Sequence, residues 1–234
     1  MVTAMILAGG VGSRVGAERP KQFIEVCGKP IIEYTIENYE NHPEVDAIMV
    51  VCHSQWIEYL KKVIKENGVK KVRWVVEGGD SFQRSVINGI NFFQKVLKKN
   101  DVIILQYAAA PFTDADIITD SIKVCKQHKV AVSCIPCYQL LGSNDKNATS
   151  EKWIDRDKII QIACPQTFEF NYLIDLYEEA KKKGIVDTAE PHTTSLMYAL
   201  GKKIYLSYGK QSNIKITTRE DVEFFGHYLR GKDI

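Results

Sequence analysis

An apolar run from Thr3 to Leu7 breaks into four glycines within eight residues: Leu7-Ala-Gly-Gly-Val-Gly-Ser-Arg-Val-Gly16, followed by Pro20-Lys21-Gln22. No other feature of this chain constrains its fold as strongly. Glycine has no Cβ, so such a loop takes positive φ and lets the backbone approach a ligand closely. Amide N–H groups that converge in this way form a concavity for an anion. Arg14 and Lys21 are spaced so that both reach the same anion from the side.

Short β-branched runs then alternate with helical patterns. Strands are expected at Thr3–Leu7, Ala47–Cys52, Val72–Glu77, Val102–Gln106, Ala131–Pro136, Ile159–Ala163 and Ile204–Tyr208. Helices are expected at Ile31–Tyr39, Gln55–Asn67, Phe82–Leu97, Asp114–Gln127, Asn171–Lys183, Thr194–Leu200 and Arg219–Arg230. Pro30 can open the first helix, and Thr217-x-x-Glu220 resembles a capping box for the last. Such alternation predicts an α/β fold: a mostly parallel sheet with helices on both faces. Ligands of these sheets bind beyond the carboxyl ends of the strands, where the glycine loop falls. The polar, irregular stretch from Cys137 to Asp155 is too long for an ordinary connection and predicts a protruding hairpin arm. With no repeat and no linker, residues 1–234 are expected to form a single domain.

Charge and cysteine usage exclude several functions. The net charge is +2 and the basic residues are scattered without interleaved aromatics, so no nucleic-acid partner is expected. No apolar stretch approaches the roughly 18 residues that span a bilayer. The N-terminal apolar run leads straight into the glycine loop and reads as a strand, not a signal peptide, so the expected compartment is the cytoplasm. Six cysteines in apolar or strand-like contexts read as free thiols there. Cys134-Ile-Pro-Cys137 has no second pair at zinc-site spacing.

The glycine loop is not a P-loop, because no Gly-Lys-Ser/Thr closes it. Nor is it a dinucleotide fingerprint: Gly9-Gly10-Val11-Gly12 lacks a third glycine at the right spacing, and no acidic residue clearly marks a ribose site after the next strand. Leu-Ala-Gly-Gly-x-Gly-x-Arg followed by Pro-Lys-Gln-Phe does resemble the signature of the sugar-phosphate and polyol-phosphate nucleotidyltransferases. The similarity is strongest to their cytidylyltransferase branch, which acts on methylerythritol 4-phosphate in isoprenoid synthesis and on ribitol 5-phosphate in teichoic acid and capsule synthesis. Further blocks match in order. They are Glu77-Gly-Gly with Ser85-Val-Ile-Asn-Gly89, then Arg156 with Cys164-Pro-Gln-Thr-Phe168, and finally Asn213-Ile-Lys-Ile-Thr-Thr218 with Glu220-Asp221.

This resemblance implies a Rossmann-like fold and transfer of CMP from CTP to a polyol phosphate, with release of pyrophosphate. Such a transfer needs no protein nucleophile; it needs two polyanions placed in line and their charge neutralised. The resemblance assigns triphosphate binding to the backbone from Ala8 through Gly9, Gly10 and Gly12, and catalytic charge stabilisation to Arg14, Lys21 and Lys215. It places Gly79 and Ser85 at the cytosine and Leu7 and Ala108 beside the nucleotide. Arg156 is implied as an acceptor-phosphate ligand that serves the partner subunit's site, with the 137–155 arm holding a homodimer. Mg²⁺, or another divalent cation, is expected to be carried mainly by the triphosphate.

The chain departs from the family where the acceptor is held. The family's His-Asp-Ala-x-Arg-Pro reads Gln106-Tyr-Ala-Ala-Ala-Pro111, so Tyr107 replaces a carboxylate and Ala110 an arginine. Cys164 replaces a threonine, and Pro191-His192 stands where a Thr-Asp pair is expected, with Asp187-Thr188 a few residues early. Tyr107 and Cys164 remain candidate acceptor contacts, and the metal ligands stay open. The triphosphate side is intact and the acceptor side rewritten. The ribitol 5-phosphate branch is the nearer match, the methylerythritol branch the alternative, and a nucleotide-binding homologue with impaired catalysis the reading of another class.

Overall fold

A computed structural model describes residues 1–10 and 19–231. The strands are β1 (Val2–Ala8), β2 (Glu25–Val26), β3 (Lys29–Pro30), β4 (Ala47–Cys52), β5 (Val72–Glu77), β6 (Val102–Tyr107), β7 (Val130–Pro136), β8 (Leu141–Gly142), β9 (Trp153–Ile154), β10 (Ile160–Glu169) and β11 (Leu206–Ser207). The helices are α1 (Ile31–Glu40), α2 (Ile57–Glu66), α3 (Phe82–Phe93), α4 (Ala115–His128), α5 (Phe170–Lys182), α6 (Thr193–Ala199) and α7 (Arg219–Gly231). No helix among the described residues is long and apolar enough to cross a membrane.

Seven strands form one sheet in the order β11-β7-β10-β6-β1-β4-β5. β1 runs parallel to both neighbours, β4 and β6, and only β10 runs against the rest. The chain moves outward from β1 to β4 to β5, then returns to the other side of β1 as β6. Loops leaving β1 and β6 therefore diverge, and a crevice opens between them at the carboxyl ends of the strands. Two apolar layers cover the sheet. Met5 and Leu7 of β1 face one layer with α3, α5 and α6, while Ala4, Ile6 and Ala8 face the other with α1, α2 and α4. A smaller cluster packs Phe225 of α7 against Val26, Ile31, Phe112 and Ile216.

Several expected boundaries shift. The strand expected at Ile159–Ala163 continues to Glu169, because its second half is inserted between β6 and β7, and a register shift between Ile162 and Gln166 absorbs the bend. The helix expected to reach Leu97 ends at Phe93, and the strand expected at Ile204–Tyr208 pairs only through Leu206–Ser207. The cap of α7 sits one residue later than the capping-box reading. Thr218 Oγ1 accepts from the Asp221 amide at 3.2 Å, and Asp221 Oδ2 accepts from the amides of Thr217 and Thr218 at 2.7 and 2.8 Å. Asp221 thus does what Glu220 was expected to do.

The hairpin of β8 and β9 bears out the expected arm. All six cysteines are free thiols, with Cys134 and Cys137 unbridged.

Candidate active site

The crevice is a cavity of about 510 Å³. Its walls come from the carboxyl ends of four parallel strands and the residues that follow them: Leu7, Gly9 and Gly10 at β1, His53 and Ser54 at β4, Glu77 to Ser81 at β5, and Tyr107 to Ala109 at β6. Lys21, Gln22, Phe82, Ser85, Pro191, His192, Lys215 and Thr217 complete it. Nine positions singled out in the sequence therefore meet in one place: Leu7, Gly9, Gly10, Lys21, Gly79, Ser85, Tyr107, Ala108 and Lys215. Arg14 and Gly12 lie outside the described residues.

The Pro-Lys-Gln-Phe motif explains how Lys21 reaches the cavity. Pro20 precedes a single 3₁₀ turn, Lys21–Phe23. Phe23 is fully buried and stacks on Trp56 with ring centroids 4.6 Å apart. Gln22 donates from Nε2 to the carbonyls of Ala8 and Gly10, at 2.9 and 2.8 Å. One neighbour of Lys21 is thus anchored in the core and the other clamped to the start of the glycine loop. Ala8 does not line the cavity; it is buried, and its carbonyl is the clamp point. Nothing in the spacing singled out Gln22, whose role depends on a contact 14 residues back.

The two glycine turns touch each other through Ser85. Its Oγ donates to the Ser81 carbonyl at 2.9 Å and accepts from the Gly79 amide at 3.1 Å. A Cβ on Gly9 would stand 2.9 Å from that Oγ, and one on Gly79 would stand 2.4 Å from Arg84 Cβ. Both positions require glycine because of close approach. Arg84, just beyond, forms a bidentate pair with Asp187 at 3.0 and 2.5 Å, so Asp187 braces the rim of the site.

The opposite wall is aromatic. Tyr107 contacts Phe82 and His192, with centroid separations of 5.8 and 5.7 Å, and the Lys215 ammonium lies 4.3 Å from the Tyr107 centroid. That is a cation–π distance. Tyr107 Oη lies 2.7 Å from His192 Nδ1 and accepts from Gln166 Nε2 at 3.3 Å. Burial raises the Tyr107 pKa far above its ordinary value, so the phenol keeps its proton.

A buried polar chain fixes this wall from behind. Tyr39 Oη donates to Gln106 Oε1 at 2.8 Å, and Gln106 Nε2 donates to the Ala110 carbonyl and to Thr113 Oγ1, at 3.0 and 2.9 Å. Thr113 Oγ1 donates to Asn213 Oδ1 at 3.0 Å, and Asn213 Nδ2 donates to the Cys164 carbonyl at 2.6 Å. The Ile216 amide also donates to the Ala109 carbonyl at 2.8 Å. The segment carrying Lys215 is thereby tied to the β6 loop.

Two expected acceptor contacts lie elsewhere. Cys164 is buried behind the wall, where burial raises its thiol pKa while the Tyr107 backbone and the Thr113 hydroxyl oppose that rise. Ala110 is also fully buried, so the position that carries an arginine in the family does not face the cavity here. Arg156 stands on the exposed arm and donates from Nη1 to the Tyr138 carbonyl at 2.8 Å. It is absent from the walls of this chain's own cavity. His192 was noted in the sequence only as a departure from the family pattern. Its place at the wall is a product of the fold.

A parallel sheet with its cleft at the switch point, lined by two glycine turns and two lysines, is the arrangement of a nucleotidyltransferase. The family model described as IspD, 2-C-methyl-D-erythritol 4-phosphate cytidylyltransferase, matches residues 2–231, and the chain belongs to that family. It is a cytidylyltransferase. A ribitol-5-phosphate cytidylyltransferase from Lacticaseibacillus paracasei is 37% identical over 236 residues, covering 100% of both chains. A 2-C-methyl-D-erythritol 4-phosphate cytidylyltransferase from Clostridium tetani is 33% identical, covering 97% of this chain and 89% of that one. Among solved structures, the 4-diphosphocytidyl-2C-methyl-D-erythritol synthase from Anaerococcus prevotii superposes with a TM-score of 0.80, at 21% identity and 98% coverage of each chain.

Proposed function

We propose that the chain transfers CMP from CTP to ribitol 5-phosphate. The observation that carries this reading is the gathering of Gly9, Gly10, Lys21, Gly79, Ser85 and Lys215 around one cavity. The full-length similarity to the ribitol-5-phosphate enzyme supports the acceptor. An acceptor phosphate oxygen attacks the α-phosphorus, the bond to the bridging β-oxygen breaks, and pyrophosphate leaves. Lys21, Lys215 and the amides of the glycine turns neutralise the charge that spreads over the transferring group. Arg14 joins them in this reading.

A divalent cation such as Mg²⁺, bound with the triphosphate, would lower its charge. Glu77 and Asp80 line the cavity, and this cation takes one or two carboxylates together with phosphate oxygens, so the donor set fits it. Residues 1–234 act as one nucleotidyltransferase domain, and a homodimer forms through the 137–155 arm. There Arg156 reaches the acceptor site of the second copy. The arm's apolar exposure supports this, Leu140 being 85% and Trp153 71% exposed.

Pyrophosphate release from CTP and Mg²⁺ is the test, across ribitol 5-phosphate, methylerythritol 4-phosphate and glycerol 3-phosphate, with UTP as the donor control. Ribitol 5-phosphate should give the highest kcat/KM. Faster turnover of methylerythritol 4-phosphate would reassign the acceptor. Calorimetric binding of CTP without release in any arm would favour the binding homologue that Tyr107 and Ala110 suggest.

A further inference from the structure

We propose that His53 is a ligand of the donor nucleotide, its Nε2–H donating to an oxygen of the nucleoside. The proposal rests on the reading of CTP as the donor and adds a residue that no sequence motif marked.

The two glycine turns meet over the end of β4. A Cβ on Gly78 would stand 3.4 Å from both the Cys52 carbonyl oxygen and Gly9 Cα. The Gly78 amide donates to that carbonyl at 2.8 Å, and the His53 amide donates to the Ala8 carbonyl at 3.4 Å. His53 is the first residue past β4. It is half-buried and lines the cavity between the two turns.

Hydrogen-bond polarity decides which ring nitrogen is offered to a ligand. A backbone N–H only donates, so the contact from the Gln55 amide to His53 Nδ1, at 3.3 Å, makes Nδ1 the acceptor. The imidazole proton is then on Nε2. His53 thereby caps the 3₁₀ turn Ser54–Trp56 that leads into α2. Its ring is oriented by its own backbone before any ligand arrives, as a binding group needs to be. Among the described residues, Nε2 has no hydrogen-bond partner.

The row of strand ends shows which half of the nucleotide lies there. Register aligns Tyr107 with Leu7, Ala8 with Cys52, and Cys52 with Glu77. With about 4.8 Å between neighbouring strands, the end of β4 stands about 10 Å from the end of β6. Lys215 lies on the Tyr107 ring at the β6 end, and the turn that carries Lys21 is tied to the end of β1. Among the described residues, no lysine or arginine lines the cavity at the ends of β4 and β5. The phosphates gather at the lysines, and the nucleoside extends along the row to β4 and β5. There the Ser85 proton is spent on the Ser81 carbonyl at 2.9 Å. His53 supplies an N–H for an acceptor, a base carbonyl or a ribose oxygen.

The test separates the two nitrogens by binding measurements on the full chain in the presence of Mg²⁺. His53→Asn keeps an acceptor where Nδ1 stands and removes the Nε2 donor. Calorimetry should show CTP weakened by about three- to tenfold, the loss of one hydrogen bond, with inorganic triphosphate and the melting temperature unchanged. His53→Gln places an N–H near the Nε2 position and gives up the cap. It should bind CTP within about twofold of wild type yet melt about 2–4 °C lower. In ¹⁵N-histidine spectra His53 should carry its proton on Nε2, and that signal should answer CTP but not inorganic triphosphate. Affinity that follows the melting temperature through the two variants would show a capping role only and overturn the proposal. Equal losses for CTP and inorganic triphosphate, or a proton on Nδ1, would overturn it as well. The expected binding contrasts without turnover on any polyol phosphate would leave the proposal standing and remove the proposed activity. A wild-type chain that does not bind CTP would end both.

Discussion

Lys21 owes its position to its neighbours. Gln22 holds the Ala8 and Gly10 carbonyls and Phe23 is buried against Trp56, so the turn is anchored by the neighbours of Lys21. Lys21→Ala should lower kcat by about 100-fold or more. The melting temperature should hardly move; a pyrophosphate assay beside a thermal melt separates the two effects. Gly9 gives a second residue-scale prediction. Its missing Cβ would stand 2.9 Å from Ser85 Oγ, while the next atoms lie 3.8 Å or more away. Gly9→Ala should therefore destabilise by about 1–3 kcal/mol, and Ser85→Ala in the same chain should restore most of that loss. A denaturant double-mutant cycle measures the coupling. Strict additivity would mean that the serine yields without cost.

Among the elements, the arm leaves large apolar side chains uncovered. Each strand of the β8–β9 ribbon is two residues long, too little to be stable in water alone. Leu140 and Trp153 add large exposed apolar side chains to it. Leu140→Asp combined with Trp153→Asp should convert a dimer to a monomer in light scattering while the far-UV spectrum is kept. A wild-type chain that is already monomeric at micromolar concentration would end the dimer reading. β10 shows the other side of element-scale logic. The Cys164-Pro-Gln-Thr-Phe168 block was legible as a motif but not as a strand. A proline and a polar pair hide the pattern, and pairing with β6 on one side and β7 on the other makes the strand.

Across the whole molecule, the two apolar layers decide which groups are reachable. Burial pushes the Cys52 and Cys125 thiols up to about 12, and Cys27 is exposed. A thiol reagent at neutral pH should label Cys27 rapidly and Cys52 and Cys125 only on unfolding, as peptide mapping after timed quenching would reveal. A raised thiol pKa stabilises the fold below the unfolded-state value and is lost as pH climbs. Denaturation midpoints should therefore fall between the ordinary value of 9.0 and about 12. The sequence by itself determined the alternating α/β order, the glycine loop at the end of β1, the arm, and the family, because each is written in local periodicity or in contiguous motifs. It also marked where the acceptor side departs. Only the tertiary structure decided that Tyr107, Gln166 and His192 form one hydrogen-bonded wall, that Ala110 and Cys164 lie behind it, and that Gln22 holds the loop. Those relations join residues up to 85 positions apart across a parallel sheet. Contacts between non-neighbouring strands leave no periodic trace in the chain that makes them.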